Sequence, residues 1–184
     1  MHYPNNFGGP NISKWRVPKM RMPQATDGAA IWELIRSCQP LDANSMYCNV
    51  LQCDHFAETC VLAEFEGEVL GWVSAYVIPN DPETLFVWQV AVSEKARGLG
   101  LGTHMLQTIL ARSACAGVKR LQTTITSDNE ASWALFQKLG KVQRSKLGAK
   151  PCYRKDRHFQ NRHKTENLVT IPLARGTQSS AQAA

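Results

Sequence analysis

Apolar residues follow two rhythms along the chain, and the change of rhythm marks out its elements. In DGAAIWELIRSC, Ile31, Leu34, Ile35 and Cys38 fall on one face of a helix opened by Asp27 and stopped by Pro40. A second helix is expected from about Asn44 to Phe56, with Met46, Val50, Cys53 and Asp54 at helical spacing. TCVLAEF and VLGWVSAYVI, joined by the turn EGE, read as a strand hairpin, and IPNDPET reads as a loop of turn formers. TLFVWQVAV follows as a strand of β-branched and aromatic residues. Leu101, Met105, Leu106, Ile109 and Leu110 return to helical spacing up to Gly117, and RLQTTIT is again a strand. Asp128 or Asn129 starts a helix, NEASWALFQKLG, which Gly140 closes. Residues 141–164 show no period, LVTIPL is a last strand, and ARGTQSSAQAA is a small-residue tail. Helices and strands in this order predict a mixed α/β or α+β layer built on one sheet.

A length of 184 residues, 43% of them hydrophobic, suits one core and is short for two. Residues 1–24 lack periodicity and read as a flexible arm, 25–172 as the folded domain and 173–184 as a disordered tail. The six cysteines show no metal-ligand spacing, so they are expected to be reduced thiols of a cytoplasmic protein, with no metal. No stretch approaches the roughly 18 apolar residues of a membrane span, and MHYPNNFGGP lacks the apolar core of a signal peptide. The net charge of +6 gathers at Lys14, Arg16, Lys19 and Arg21 and between Lys138 and Arg162. Without a helix-turn-helix, zinc finger or RNA-recognition pattern, this excess reads as a solvated surface that attracts anions, with no nucleic-acid or membrane partner.

The candidate chemistry begins at SEKARGLGLGTHML, where glycines stand at 98, 100 and 102 between a strand and a helix. Glycines there let a ligand approach the main chain, and the first N–H groups of a helix suit a phosphate. The dinucleotide fingerprint G-x-G-x-x-G fails, because its third glycine falls on Thr103 or Met105. The P-loop fails too, because no lysine follows Gly102. What remains is an anion-binding nest opened by Arg97.

RGLGLG, with the strand WQVAV before it and a helix after it, resembles the acetyl-CoA signature of the GCN5-related N-acetyltransferase superfamily. NEASWALFQKLGK resembles the superfamily's second block. SCQPLDANSMYCNVLQCDHFAETCVLAE, GWVSAYVIPNDPETLFVWQVAV and TTITSDNEAS resemble, in order and spacing, segments of the diaminobutyrate acetyltransferases of ectoine biosynthesis. The resemblance covers about residues 25–172. It implies the GNAT fold, with a single mixed, mostly antiparallel sheet flanked by helices, and a homodimer. It also implies transfer of the acetyl group of acetyl-CoA to the 4-amino group of L-2,4-diaminobutyrate, an osmoprotective step. Another small amine, or a protein N-terminus or lysine, is the alternative acceptor.

On this reading the main chain from Arg97 through Gly98, Leu99, Gly100 and Gly102, with Thr103, holds the pyrophosphate. The resemblance implies that Gln89, Val90 and Val92 pair with the pantetheine arm, with an N–H near Val90 facing the thioester oxygen. Asn129 and Ser132 fall near the cofactor, although Asn129 also suits a helix cap. The acceptor carries two ammonium groups and one carboxylate, and one amine must lose a proton before it attacks. Asp42, Tyr47 and Trp88 are the first candidates for its pocket, by position in the matched segments. Glu166 and His163 are candidates for proton transfer as well as binding, with His158 a lesser rival, and Tyr47 is a candidate donor to the acceptor carboxylate or to the leaving thiolate, with another group, water or departure of the free thiolate as the alternatives. Where many members of the superfamily carry a tyrosine for that purpose, this chain has Phe136.

Overall fold

A computed structural model describes residues 18–39 and 41–173; the expectations for the rest of the arm, for Pro40 and for residues 174–184 lie outside these. The strands are β1 (Lys19–Arg21), β2 (Val61–Phe65), β3 (Glu68–Ile78), β4 (Asp81–Val92), β5 (Arg120–Thr126), β6 (Gly148–Tyr153) and β7 (Glu166–Pro172). They form one sheet in the order β1-β2-β3-β4-β5-β7-β6, antiparallel except for β4 and β5. The helices are α1 (Gly28–Ser37), α2 (Met46–His55), α3 (Leu101–Leu110), α4 (Glu130–Val142) and the single turn α5 (Lys155–His158).

The sheet separates two cores. On one face Ile31, Leu34 and Ile35 of α1 and Cys53 of α2 bury against Leu62, Trp72 and Ala91. On the other, Leu101, Met105, Leu106 and Ile109 of α3 and Phe136 and Leu139 of α4 pack on Val73, Leu85, Leu121 and Val169. Each fully buried Ile or Leu contributes roughly 1.5–3 kcal/mol through the water it sheds. All six cysteines are free. Burial pushes the thiols of Cys53 and Cys60 up to about 12 and that of Cys115 to about 11, so all three are inert.

Five expectations about the elements are corrected. The arm assigned to 1–24 contains β1, which pairs with β2 through Met20 and Ala63. Arg21 anchors it with a fork on Asp27 at 2.7 and 2.8 Å and a bond to Glu64 at 2.9 Å. Most of IPNDPET is strand, because β4 already begins at Asp81 and the turn is confined to Pro79 and Asn80. The helix after the glycines ends at Leu110, well before Gly117, while α4 runs past Gly140 to Val142. The unassigned stretch 141–164 holds β6, an edge strand with mostly exposed residues and therefore no period to read.

Two irregularities of β4 shape the site. Its pairing with β5 covers only Thr84–Phe86 against Arg120–Gln122, and beyond that point the two strands separate. Arg120 on Asp81, at 2.6 and 2.8 Å, and Lys119 on Glu83 fasten the closed end of this seam. The second is a bulge: Ser74 pairs with Gln89 and Ala75 with Val87, leaving Trp88 unmatched on β3. The extra residue switches the sides of the strand. Leu85 and Val87 face the α3/α4 core, yet after the bulge Val90 and Val92 take that side, while Ala91 joins the α1/α2 core.

Candidate active site

The three glycines serve different ends. Gly98 and Gly100 have φ of +77° and +80°, the left-handed region that favours glycine, and Gly100 is the residue that caps α3. Gly102 lies within α3, where a Cβ would come within 3.1 Å of Leu135 Cδ1; it lets α3 and α4 approach. Together they leave the first backbone N–H groups of α3 beside a cleft of about 460 Å³. Arg97, Gly98, Gly100, Gly102, Thr103, Val90, Val92, Asn129 and Ser132 all line it, whereas Leu99 does not and is exposed. The Arg97 guanidinium donates to the Val92 carbonyl at 3.3 Å. Asn129 caps α4, its Oδ1 accepting from the Ser132 N–H at 3.1 Å.

Lys138 also lines this cleft, and its Nζ would lie 3.5 Å from a Cβ built on Gly100. In the sequence it stands only as one of the charges of the basic stretch from Lys138 to Arg162. Its signal is the spacing of Ala131, Ala134, Leu135 and Lys138 on one face of α4. A cation beside the helix start, a left-handed glycine nest and a bare strand edge fit a phosphate-bearing group with an extended arm.

A second cleft of about 560 Å³ opens where β4 and β5 part. It continues the first, since Leu41, Val90, Asn129 and Ser132 line both. Asp42, Trp88, His163 and Glu166 meet here, together with Asp128, Arg162, Lys164 and, at the floor, Phe136. Trp88 is 47% exposed, so the bulge presents it to the cleft instead of the core. Gln89 lines this cleft and not the first. Tyr47 does not join the group; it lies in the first turn of α2, 69% exposed and lining neither cleft. His158 is also elsewhere, its ring accepting from the Arg154 N–H and meeting Tyr153 edge-on.

His163 ties the walls together. Its Nε2 lies 3.8 Å from Glu166 Oε1 and 3.9 Å from Asp42 Oδ2, and its Nδ1 is 2.8 Å from the Lys164 carbonyl. The carbonyl so placed accepts a hydrogen bond from Nδ1–H, and Nε2 is turned to the two carboxylates. The Glu166 side chain is 17% exposed. Burial pushes its carboxyl above the ordinary value, offset in part by His163 and by a hydrogen bond from Thr124, while Asp42 and Asp128 push it further up. Lys164 is paired with Asp128, whereas Arg162 has no carboxylate partner among the described residues. A basic carboxylate with an imidazole beside it, next to the open seam, can hold an ammonium and take its proton.

Among the described residues no group of three or more His, Cys, Asp and Glu is arranged to hold a metal ion, and no helix is long and apolar enough to cross a membrane.

Comparison with known proteins fits this geometry. The acetyltransferase (GNAT) family pattern matches residues 29–141. The L-2,4-diaminobutyric acid acetyltransferase of Methylotuvimicrobium alcaliphilum is 50% identical over 170 residues, covering 92% of this chain and 99% of the relative. That of Vibrio cholerae is 48% identical over 153 residues, covering 83% and 88%. Among solved structures, the diaminobutyrate acetyltransferase EctA from Paenibacillus lautus, in complex with its substrate L-2,4-diaminobutyric acid and coenzyme A, superposes with a TM-score of 0.80 at 38% identity. That match covers 84% of this chain and 94% of the other.

Proposed function

The chain belongs to the acetyltransferase (GNAT) family, and from that premise we propose that it moves the acetyl group of acetyl-CoA to the 4-amino group of L-2,4-diaminobutyrate. The product, N4-acetyl-L-2,4-diaminobutyrate, is the precursor for ectoine. The observation that carries this reading is the junction of the two clefts: an anion-binding turn on one side and the Asp42, His163 and Glu166 cluster on the other share the walls Leu41, Val90, Asn129 and Ser132.

Acetyl-CoA supplies an activated thioester, so the protein's tasks are to position it, to free an amine and to favour charge on the carbonyl oxygen. The N–H groups at Gly98–Thr103, with Arg97 and Lys138, are assigned to the pyrophosphate region. Beyond Val87 the edge of β4 has no strand partner on the β5 side, and its N–H groups are free to meet the pantetheine arm and the carbonyl oxygen. Glu166, more basic than an ordinary carboxylate, takes the proton of the 4-ammonium, and the His163 imidazole relays it toward solvent. Asp42 faces the second ammonium, and Arg162 is the rim cation left for the carboxylate of the acceptor. Phe136 cannot protonate the leaving group and Tyr47 lies outside the clefts, so the sulfur leaves as a thiolate or takes a proton from water, which suits a thiol ionising near pH ~8.5.

The proposal includes a single catalytic domain that takes in β1 together with residues 25–172, acting in the cytoplasm as a homodimer; light scattering after size exclusion tests the last of these. The activity itself is tested by release of free thiol from acetyl-CoA with a panel of amines, followed by NMR of the product. Turnover with L-2,4-diaminobutyrate and an acetyl group on N4 is expected. Good turnover with other amines and none with this one would leave only the family.

A further inference from the structure

The loop between α1 and α2 forms a wall of both clefts, with Cys38, Gln39 and Leu41 on the first and Leu41, Asp42 and Asn44 on the second. Asp42 carries the carboxylate that faces His163, yet it does little to hold itself in place. Its side chain is 92% exposed, and His163 Nε2 stands 3.9 Å from its Oδ2. What fixes the loop is a set of side chains behind it. Gln89 of β4, 9% exposed, donates from Nε2 to the Asp42 carbonyl at 2.9 Å. Its Oε1 accepts from Asn44 Nδ2 at 3.3 Å. The Asn44 carbonyl in turn accepts from the Trp32 indole N–H of α1 at 3.0 Å.

Gln89 is available for this only because of the bulge. With strict alternation it would share the side of Leu85 and Val87, among α3 and α4; the unmatched Trp88 puts it across from Ser74, on the side of α1 and α2. One extra residue thus sends Trp88 into the acceptor cleft and Gln89 to the loop that carries Asp42.

We infer that Gln89, with Asn44, is a positioning residue for the acceptor: its amide grips the main chain of Asp42 on one side and the side chain of Asn44 on the other, and so holds the Asp42 carboxylate over the cleft opposite His163 and Glu166. This rests on the reading of that cleft as the amine site. Both atoms of the Gln89 amide are engaged, and neither bond is to the Asp42 carboxylate, which stays free for a ligand. The device acts on the acceptor more than on the cofactor, because residues 97–103 and α4, which form most of the first cleft, make no contact with it through these bonds.

The test compares steady-state kinetics and melting of the wild type, Gln89→Leu, Asp42→Asn and the double variant. Gln89→Leu is expected to raise KM for diaminobutyrate about tenfold, the change that loss of one well-placed hydrogen bond produces, while KM for acetyl-CoA stays within about twofold. The double variant should be no worse than Asp42→Asn alone, since a residue acting through Asp42 has nothing left to position. An unchanged KM for the amine, a matching rise in KM for acetyl-CoA, or effects that multiply in the double variant would each overturn the inference. Should Gln89→Leu fail to fold, Asn44→Ala is read by the same three measurements. If the wild type prefers another amine, the substrate reading falls, and the same split measured with that amine still decides the role of Gln89.

Discussion

Replacing each glycine of the turn by alanine separates the physical reasons for the three. Gly98→Ala places a side chain at φ +77° in open space, with no atom within 4 Å of the new Cβ, so its cost is backbone strain alone. That strain is about 1–2 kcal/mol for an L residue in the left-handed region, or roughly 2–8 °C in melting temperature for a chain of this size. Gly100→Ala carries the same strain at φ +80° and adds a methyl group 3.5 Å from Lys138 Nζ, inside the cofactor cleft, so it should also raise KM for acetyl-CoA. Gly102→Ala has no such strain. Alanine gains up to about 1 kcal/mol in a helix, and the new Cβ would stand 3.1 Å from Leu135 Cδ1 and 3.8 Å from Val92 Cγ2. The end of Leu135 can yield by a few tenths of an ångström, so the melting temperature should move by less than in the other two. The shift falls where α3 opens onto the cleft, and KM for acetyl-CoA should rise about three- to tenfold. Differential scanning calorimetry and thiol-release kinetics give both quantities. A melting point unchanged in Gly98→Ala, or lowered as much in Gly102→Ala as in Gly98→Ala, would refute this division of labour.

Glu166→Gln should lower kcat by about 10²–10⁴ while KM for acetyl-CoA holds. Because burial raises the Glu166 carboxyl, the wild-type rate should climb with pH through a value above the ordinary glutamate range, and the variant's profile should lack that limb. Lys138→Ala should raise KM for acetyl-CoA about three- to tenfold with little effect on the amine, as expected for one cation facing a phosphate. Arg21→Ala should destabilise the fold by about 1–3 kcal/mol in urea unfolding, since it frees β1 and leaves Asp27 without its fork. The hydrogen bond from Arg21 holds the Asp27 carboxyl below its usual value, although burial opposes this. Its stabilisation is therefore present above the unfolded-state pKa and lost as pH falls through the lower folded-state value, and acid unfolding of Arg21→Ala should show a weaker dependence there.

Residues whose role follows from spacing were legible in the sequence. The glycines at 98, 100 and 102 ruled out two phosphate motifs by count alone, and the end of the strand before them and the start of the helix after them are where the periodicity put them. Asp42, Trp88, His163 and Glu166 lie far apart in the chain and came together only through resemblance to a family, which the shared cleft supports. Tyr47 came from the same source, but its place in α2 turns it away from the clefts of this chain. The bulge at Trp88 was beyond reach, because alternation assumes that the sides of a strand never switch. β6 was hidden by its exposure, and Lys138 by looking like every other surface lysine of the basic stretch.

The seam between β4 and β5 also works as a ruler. Its closed end is pinned at Phe86 and Gln122, and its open edge runs from Val87 to Val92, roughly 17 Å at strand spacing. An arm that enters at the glycine turn has that length to travel before the strands rejoin, and Phe136 lies buried in the lining beside it. Lengthening that open edge would mean unfastening the sheet at its closed end, where Arg120 holds Asp81.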